Sequence, residues 1–211
     1  MIYSDNVTFR DCLIVSGDDN IALKANSTNV LIENQEWYAG LGFAMGSIGQ
    51  YDGVVETVEN VTVRNVTAKG VRYGAYFKTW TGVSRGYPPN GGGGGLGHAA
   101  NITMSDFKLV NTSGIFAVTQ CTSYNDARGE CDTSQFNIHN ITMENWSGTT
   151  TSDVVAELQC SGASPCTGMK ITGIDILDTV NGTAPASYLC ANVTEPIGFN
   201  CTGVPYGENN R

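Results

Sequence analysis

Charge is scarce in this chain. Only 15% of its 211 residues are Asp, Glu, Lys or Arg, and 11 basic residues face 20 acidic ones. No basic stripe exists to neutralise phosphates, so no nucleic acid partner is expected. No apolar run approaches the length of a bilayer span, so no membrane partner is expected either. The sequence has no Cys-x-x-Cys and only two His, which argues against zinc; no metal and no cofactor is expected. A helical 3.6-residue period is absent throughout. The opening Met1-Ile2-Tyr3-Ser4-Asp5 has neither a basic segment nor an apolar stretch, so the chain lacks its own export signal or begins downstream of one.

What is abundant points to short strands and tight turns: Gly (26 residues), Asn, Thr and Val. A four-residue unit recurs as Asn6-Val7-Thr8-Phe9, Asn29-Val30-Leu31-Ile32, Asn60-Val61-Thr62-Val63, Asn101-Ile102-Thr103-Met104 and Asn140-Ile141-Thr142-Met143, and Lys170-Ile171-Thr172-Gly173 continues it. Spacings of about twenty to forty residues are those of stacked coils. Strand pairs this short cannot bury a face alone, but stacking buries a continuous Val/Ile/Leu interior. The expected fold is all-β, a right-handed parallel β-helix. Irregular coil lengths and few hairpin signals weigh against the rival, a β-sandwich. One domain is expected over 1–211, interrupted by a Gly/Pro-rich loop at 84–99 that lines a cleft, and followed by a loose tail at 202–211. A monomer is expected.

Six of the seven Cys fall in close pairs, Cys121 with Cys131, Cys160 with Cys166 and Cys190 with Cys201. Short loops of this kind read as disulfides made in an oxidising compartment, leaving Cys12 over. Asn-x-Ser/Thr sequons are frequent; Asn60, Asn101, Asn111, Asn140 and Asn192 are the glycosylation candidates. Part of their excess has a structural explanation, since Asn at a turn followed by a β-branched residue opens a strand well. Secretion to the extracellular space is expected.

The most informative stretch is Ser16-Gly17-Asp18-Asp19-Asn20-Ile21-Ala22-Leu23-Lys24. Adjacent carboxylates repel, which raises one pKa and keeps the other group ionised. A carboxyl proton donor beside a carboxylate base is the equipment of glycoside hydrolysis. The competing reading is a polar turn or a pair of cation ligands.

Further blocks follow in order: Gly40-Leu41-Gly42-Phe43-Ala44-Met45-Gly46-Ser47-Ile48-Gly49, then Tyr73-Gly74-Ala75-Tyr76-Phe77-Lys78-Thr79-Trp80, and later Cys160-Ser161-Gly162-Ala163-Ser164-Pro165-Cys166. From about Tyr3 to Cys201 the chain resembles the pectin-degrading glycoside hydrolases of the polygalacturonase type, and in detail their fungal exo-acting members. The resemblance implies inverting hydrolysis of α-1,4-linked galacturonic acid in pectic polysaccharide. It makes Asp18 the general acid and has Asp19 hold and activate the attacking water. Lys78 would pair with a uronate carboxylate and Tyr76 would stack on a sugar face; residues two apart in a strand share a side. Lys24 is a further substrate-binding candidate.

Three features depart from that family. Its Asn-x-Thr-Asp block, the source of a third carboxylate, is absent, so the chain reads as the C-terminal portion of a longer enzyme. Leu41 stands where the family has a His that members acting on rhamnogalacturonan also lack, and Tyr76 stands where it has Arg. The alternatives are therefore a rhamnogalacturonan hydrolase or a catalytically dead, pectin-binding β-helix. His98 and His139 lie in no matching motif and are expected to be structural or solvated.

Overall fold

The computed structural model describes residues 1–126 and 129–205. Its strands fall into two parallel sheets that the chain visits in turn. One sheet carries β1 (Asp5–Val15), β3 (Ser27–Tyr38), β5 (Val55–Lys69), β7 (Leu96–Thr112), β9 (Asn137–Thr150), β11 (Cys166–Asp178) and β13 (Val193–Thr194), in that order. The other carries β2 (Ile21–Leu23), β4 (Phe43–Ile48), β6 (Ala75–Trp80), β8 (Phe116–Thr122), β10 (Val154–Gln159) and β12 (Ser187–Ala191). Each odd–even pair is one coil, and the stack is a parallel β-helix. Like positions lie over like: Ile32, Val63, Met104, Met143 and Ile171 form one inward row, all essentially buried. Aromatics stack the same way, with Phe107 and Trp146 parallel at 4.1 Å and Phe77 edge-on between Phe43 and Phe116. At the edge of its sheet, β1 is nowhere buried.

The long strands bend where Asn adopts the left-handed conformation. Asn29, Asn60, Asn101 and Asn140 share one register row, each with φ between 53° and 57°. Asn is among the few non-Gly residues that accept this region at small cost. Each amide donates to the side chain one coil back: Asn60 to Asn29, Asn101 to Asn60 and Asn140 to Asn101, all at 3.2 Å. A parallel row five residues on joins Asn65 to Asn34 and Asn34 to Asp11, both at 2.8 Å. The next β-branched residue, Val61, Ile102 or Ile141, then points into the core.

The repeat expected at Lys170–Gly173 is displaced by two residues. Met169 pairs with Ile141, so Gly168 (φ 60°) occupies the row's next position and the unit runs from 168 to 171. A pattern keyed on Asn misses it, because Gly meets the same backbone demand without a side chain.

Loop and tail boundaries also shift. Leu96, Gly97, His98 and Ala99, expected in the loop, begin β7, so the loop closes at Gly95. It is pinned rather than free: Gly93 N donates to Gln50 O, Gly94 N to Thr81 O, and Arg85 pairs with Glu130 at 2.6 Å. Thr202 N donates to Tyr188 O and Gly203 bridges Leu189, so the expected tail is anchored at its start. Its part from 206 to 211 lies outside the described residues. All three expected disulfides are present: Cys121–Cys131, Cys160–Cys166 and Cys190–Cys201. The last ties the C-terminal segment to β12. Cys12 is free and half-exposed in β1.

The asparagine row yields a stability test. Asn101→Ala removes two ladder bonds and leaves in the left-handed region a residue that lacks the side-chain amide by which Asn tolerates it, a loss of about 2–4 kcal/mol. Asn101→Gly keeps the backbone freedom and is expected to lose measurably less. Urea unfolding of both variants checks this; equal losses would rule out the conformational part of the argument.

Candidate active site

Asp18 and Asp19 lie in the bend between β1 and β2. The bend is held by the next coil: Leu41 N donates to Asp18 O at 3.0 Å, Asn20 N to Gly42 O at 2.9 Å, and Gly42 N to Asn20 Oδ1 at 2.9 Å. Gly40 is required here, because a Cβ on it would sit 2.5 Å from the Asp18 carbonyl oxygen. Leu41, at the resemblance's His position, thus meets Asp18 through its backbone amide.

The two carboxyls part company in burial. Asp18 is exposed, and its Oδ1 accepts the Asp19 amide at 2.8 Å. Asp19 turns inward and keeps only 15% of its side-chain exposure. Its Oδ1 accepts a hydrogen bond from the Tyr76 hydroxyl, and its Oδ2 lies 3.8 Å from Lys78 Nζ. Lys78 Nζ also donates to the Tyr76 hydroxyl at 3.0 Å and sits 4.4 Å from the centre of its ring.

Tyr76 and Lys78 belong to β6, two strand spacings from β2, roughly 9–10 Å. Register explains how they span it. Ala44 lies beside Tyr76 and Gly46 beside Lys78 in the intervening β4, and neither carries a side chain long enough to block the way. Burial pushes the Asp19 carboxyl above the ordinary carboxylate range. Lys78 pulls it back in part, and Asp18 adds a smaller upward push.

Beside this cluster runs a groove of about 290 Å³. Its floor is Tyr76 and Lys78 of β6, Thr119 of β8, and Glu157 and Gln159 of β10, with Arg72 and Tyr73 at one end. The arrangement can move a proton at Asp19 and bind a polyhydroxylated chain along the sheet.

The structure brings Asp19, Tyr76 and Lys78 together with Asp18 alongside, but does not bring Lys24 into this groove. Lys24 is exposed and lines a separate depression with Gln50, Tyr51 and Glu56, touching Asp19 only as a weak distant charge. The loop at 84–95 does not line the groove either; it packs at the opposite, C-terminal ends of β4 and β6.

The sequence reading missed Arg72, Tyr73 and Glu157. For Glu157 the one available signal was a lone acid at an outward position of Val154-Val155-Ala156-Glu157-Leu158-Gln159. His98 and His139 sit in β7 and β9 of the other sheet, where His98 Nε2 lies 3.1 Å from Glu59. Among the described residues no cluster of His, Cys, Asp or Glu could hold a metal ion.

Four of the five sequon candidates, Asn60, Asn101, Asn140 and Asn192, use their side-chain amides in the structure, whereas the bond at Asn111 is made by its backbone. Asn60, Asn101 and Asn140 form the ladder, and Asn111 N–H donates to Thr149 Oγ1. Asn192 Nδ2 donates both its hydrogens, to Asp132 Oδ1 at 2.7 Å and the Cys160 carbonyl at 2.9 Å, so a glycan there would break one bond.

A family model described as glycosyl hydrolases family 28 matches residues 1–201. The chain belongs to glycosyl hydrolases family 28. Among family-28 relatives, a protein of Aspergillus niger named α-L-rhamnosidase rgxB is 46% identical over 96% of this chain and 47% of its own length. An exopolygalacturonase of Cochliobolus carbonum is 34% identical over 94% of this chain and 45% of its own. The crystal structure of the endo-xylogalacturonan hydrolase of Aspergillus tubingensis superimposes with a TM-score of 0.79 at 26% identity, covering 98% of this chain and 52% of that one. The chain thus spans about half the length of the curated relatives it matches.

Asp19 gives a test of the site's electrostatics. An unfolded Asp titrates near 3.8, and the folded group binds its proton more readily than that. The stability this group confers is therefore greatest in acid and is lost as pH rises through the raised value. Asp19→Asn removes the buried charge while keeping an acceptor for Tyr76. The variant is expected to melt above the wild type at pH 7, with the gap closing by about pH 3.5. Thermal scans at both pH values decide it; a wild type that melts higher at pH 7 would mean that Lys78 outweighs burial.

Proposed function

We propose that the chain carries the reacting groups of an exo-acting, inverting glycosidase of pectic polysaccharide. The observation that carries this reading is the meeting of Asp19 with Tyr76 and Lys78 of β6, two coils along, where Tyr76 and Lys78 line a groove and exposed Asp18 stands beside Asp19. Asp18 is the carboxyl that an incoming sugar reaches, so it serves as the acid that protonates the leaving oxygen. Asp19 orients and deprotonates the attacking water. A base strengthens as its pKa rises toward the working pH, and burial moves Asp19 in that direction. The Tyr76 hydroxyl and the Lys78 ammonium hold the carboxylate in one orientation. Single displacement needs room for water between acid and base. One neighbour facing solvent and the other facing inward suits that need. Three disulfides support an extracellular setting.

For substrate, the groove favours a rhamnose-containing backbone. The ammonium at Lys78 is already shared between Asp19 and Tyr76, and Tyr76 replaces the guanidinium of the polygalacturonase pattern. The 46% identity to a protein named α-L-rhamnosidase, against 34% to one named exopolygalacturonase, supports the same choice. Cleavage of α-1,4-galacturonan is the second reading. Arg72 favours it, an exposed guanidinium at the groove's end with no ion pair among the described residues.

Incubation of the protein with rhamnogalacturonan and with homogalacturonan, followed by proton NMR, is expected to show a terminal sugar released with inverted anomeric configuration. Asp18→Asn is expected to lower kcat by about 10²–10⁴ with little change in KM. Unimpaired release by that variant would remove Asp18 from the mechanism.

A further inference from the structure

A second depression adjoins the groove at Tyr73 and Glu157; Asp18 and Asp19 line neither of the two. Tyr73 and Glu157 belong to both depressions, whereas Arg72 and Lys78 line only the first. The further walls of the second are Ser113, Ser152, Phe116 and Val154, so Glu157 is the one charged side chain along it. Hydroxyls and apolar carbon together suit the face of a sugar ring.

Glu157 is placed as a gatekeeper. It stands in β10 beside Ala117 of β8, which in turn pairs with Tyr76, and on its other flank it pairs with Leu189 of β12. No hydrogen bond or ion pair satisfies its carboxyl among the described residues, and burial alone pushes its pKa upward. A carboxylate that is already poorly solvated resists a second anion beside it more strongly than one in open water. It still accepts hydrogen bonds from sugar hydroxyls.

We propose that this second depression is a subsite for an uncharged pyranose, and that Glu157 excludes a uronate from it. The inference rests on the pectic glycosidase reading above. It adds a division of labour: a uronate beside Arg72 at the far end of the first depression, and a neutral sugar in the second beside Glu157. A backbone that alternates the two sugar types fits both depressions at once.

Two oligosaccharides of equal length test it, one wholly galacturonate and one alternating galacturonate with rhamnose, assayed at pH 7. The wild type is expected to show a KM about tenfold lower for the alternating chain. Glu157→Gln is expected to shrink that preference to about threefold or less by lowering KM for the galacturonate chain relative to the alternating one; Glu157→Asp retains the preference. The wild type alone supplies a second measurement, since raising salt from about 0.02 to 0.5 M is expected to relax the preference by screening. Release from both substrates with no wild-type preference, or a preference that Glu157→Gln and salt leave unchanged, overturns the subsite and leaves the hydrolase reading standing. Release from neither substrate overturns both.

Discussion

Every strand of each sheet pairs in parallel with the strand one coil away, so a residue's neighbours are set by register rather than by distance along the chain. That constraint builds the interior, where Ile32, Val63, Met104, Met143 and Ile171 repeat one position coil after coil. It builds the asparagine rows, whose amides cross from coil to coil at the bends. It also assembles the site. Tyr76 reaches Asp19 because the strand between them offers Ala44 and Gly46 where longer side chains would intervene.

The groove divides its charge unevenly. At one end Lys78 is neutralised by Asp19, and Arg72, 5.3 Å over the Tyr73 ring, has no ion pair among the described residues. Glu157, shared with the second depression, carries a carboxyl with no hydrogen-bond or ionic partner among the described residues. On the subsite proposal, the first depression accepts an anion and the second resists one. Burial makes both carboxyls harder to ionise than they would be in water, in keeping with the roles proposed for Asp19 and Glu157.

Much of the fold was legible because the repeat is written in residue types with backbone consequences. Asn followed by a β-branched residue marks a left-handed bend and then an inward side chain, a signature that ends in a buried Val30, Val61, Ile102 and Ile141 in four coils. It failed where Gly168 replaced Asn, since only the demand on φ was shared. The same pattern inflated the sequons: Asn60, Asn101 and Asn140 are followed by Thr two residues later because that position alternates outward, and their amides are used in the ladder. The disulfides were readable from short spacings. The loop's end at Gly95 was not, because Leu96 to Ala99 carries no feature that separates a glycine-rich loop from a strand.

Residue types and their spacing by themselves determined the coil architecture, the disulfide pairs and the acid pair at Asp18–Asp19. These depend on local chemistry: turn preference, alternation and the rarity of neighbouring carboxylates. Tertiary structure decided which acid is buried, that Lys24 lies outside the groove, and that Arg72, Tyr73 and Glu157 line it. Burial and juxtaposition arise from stacking coils whose residues are twenty to eighty positions apart, and no local pattern carries that information.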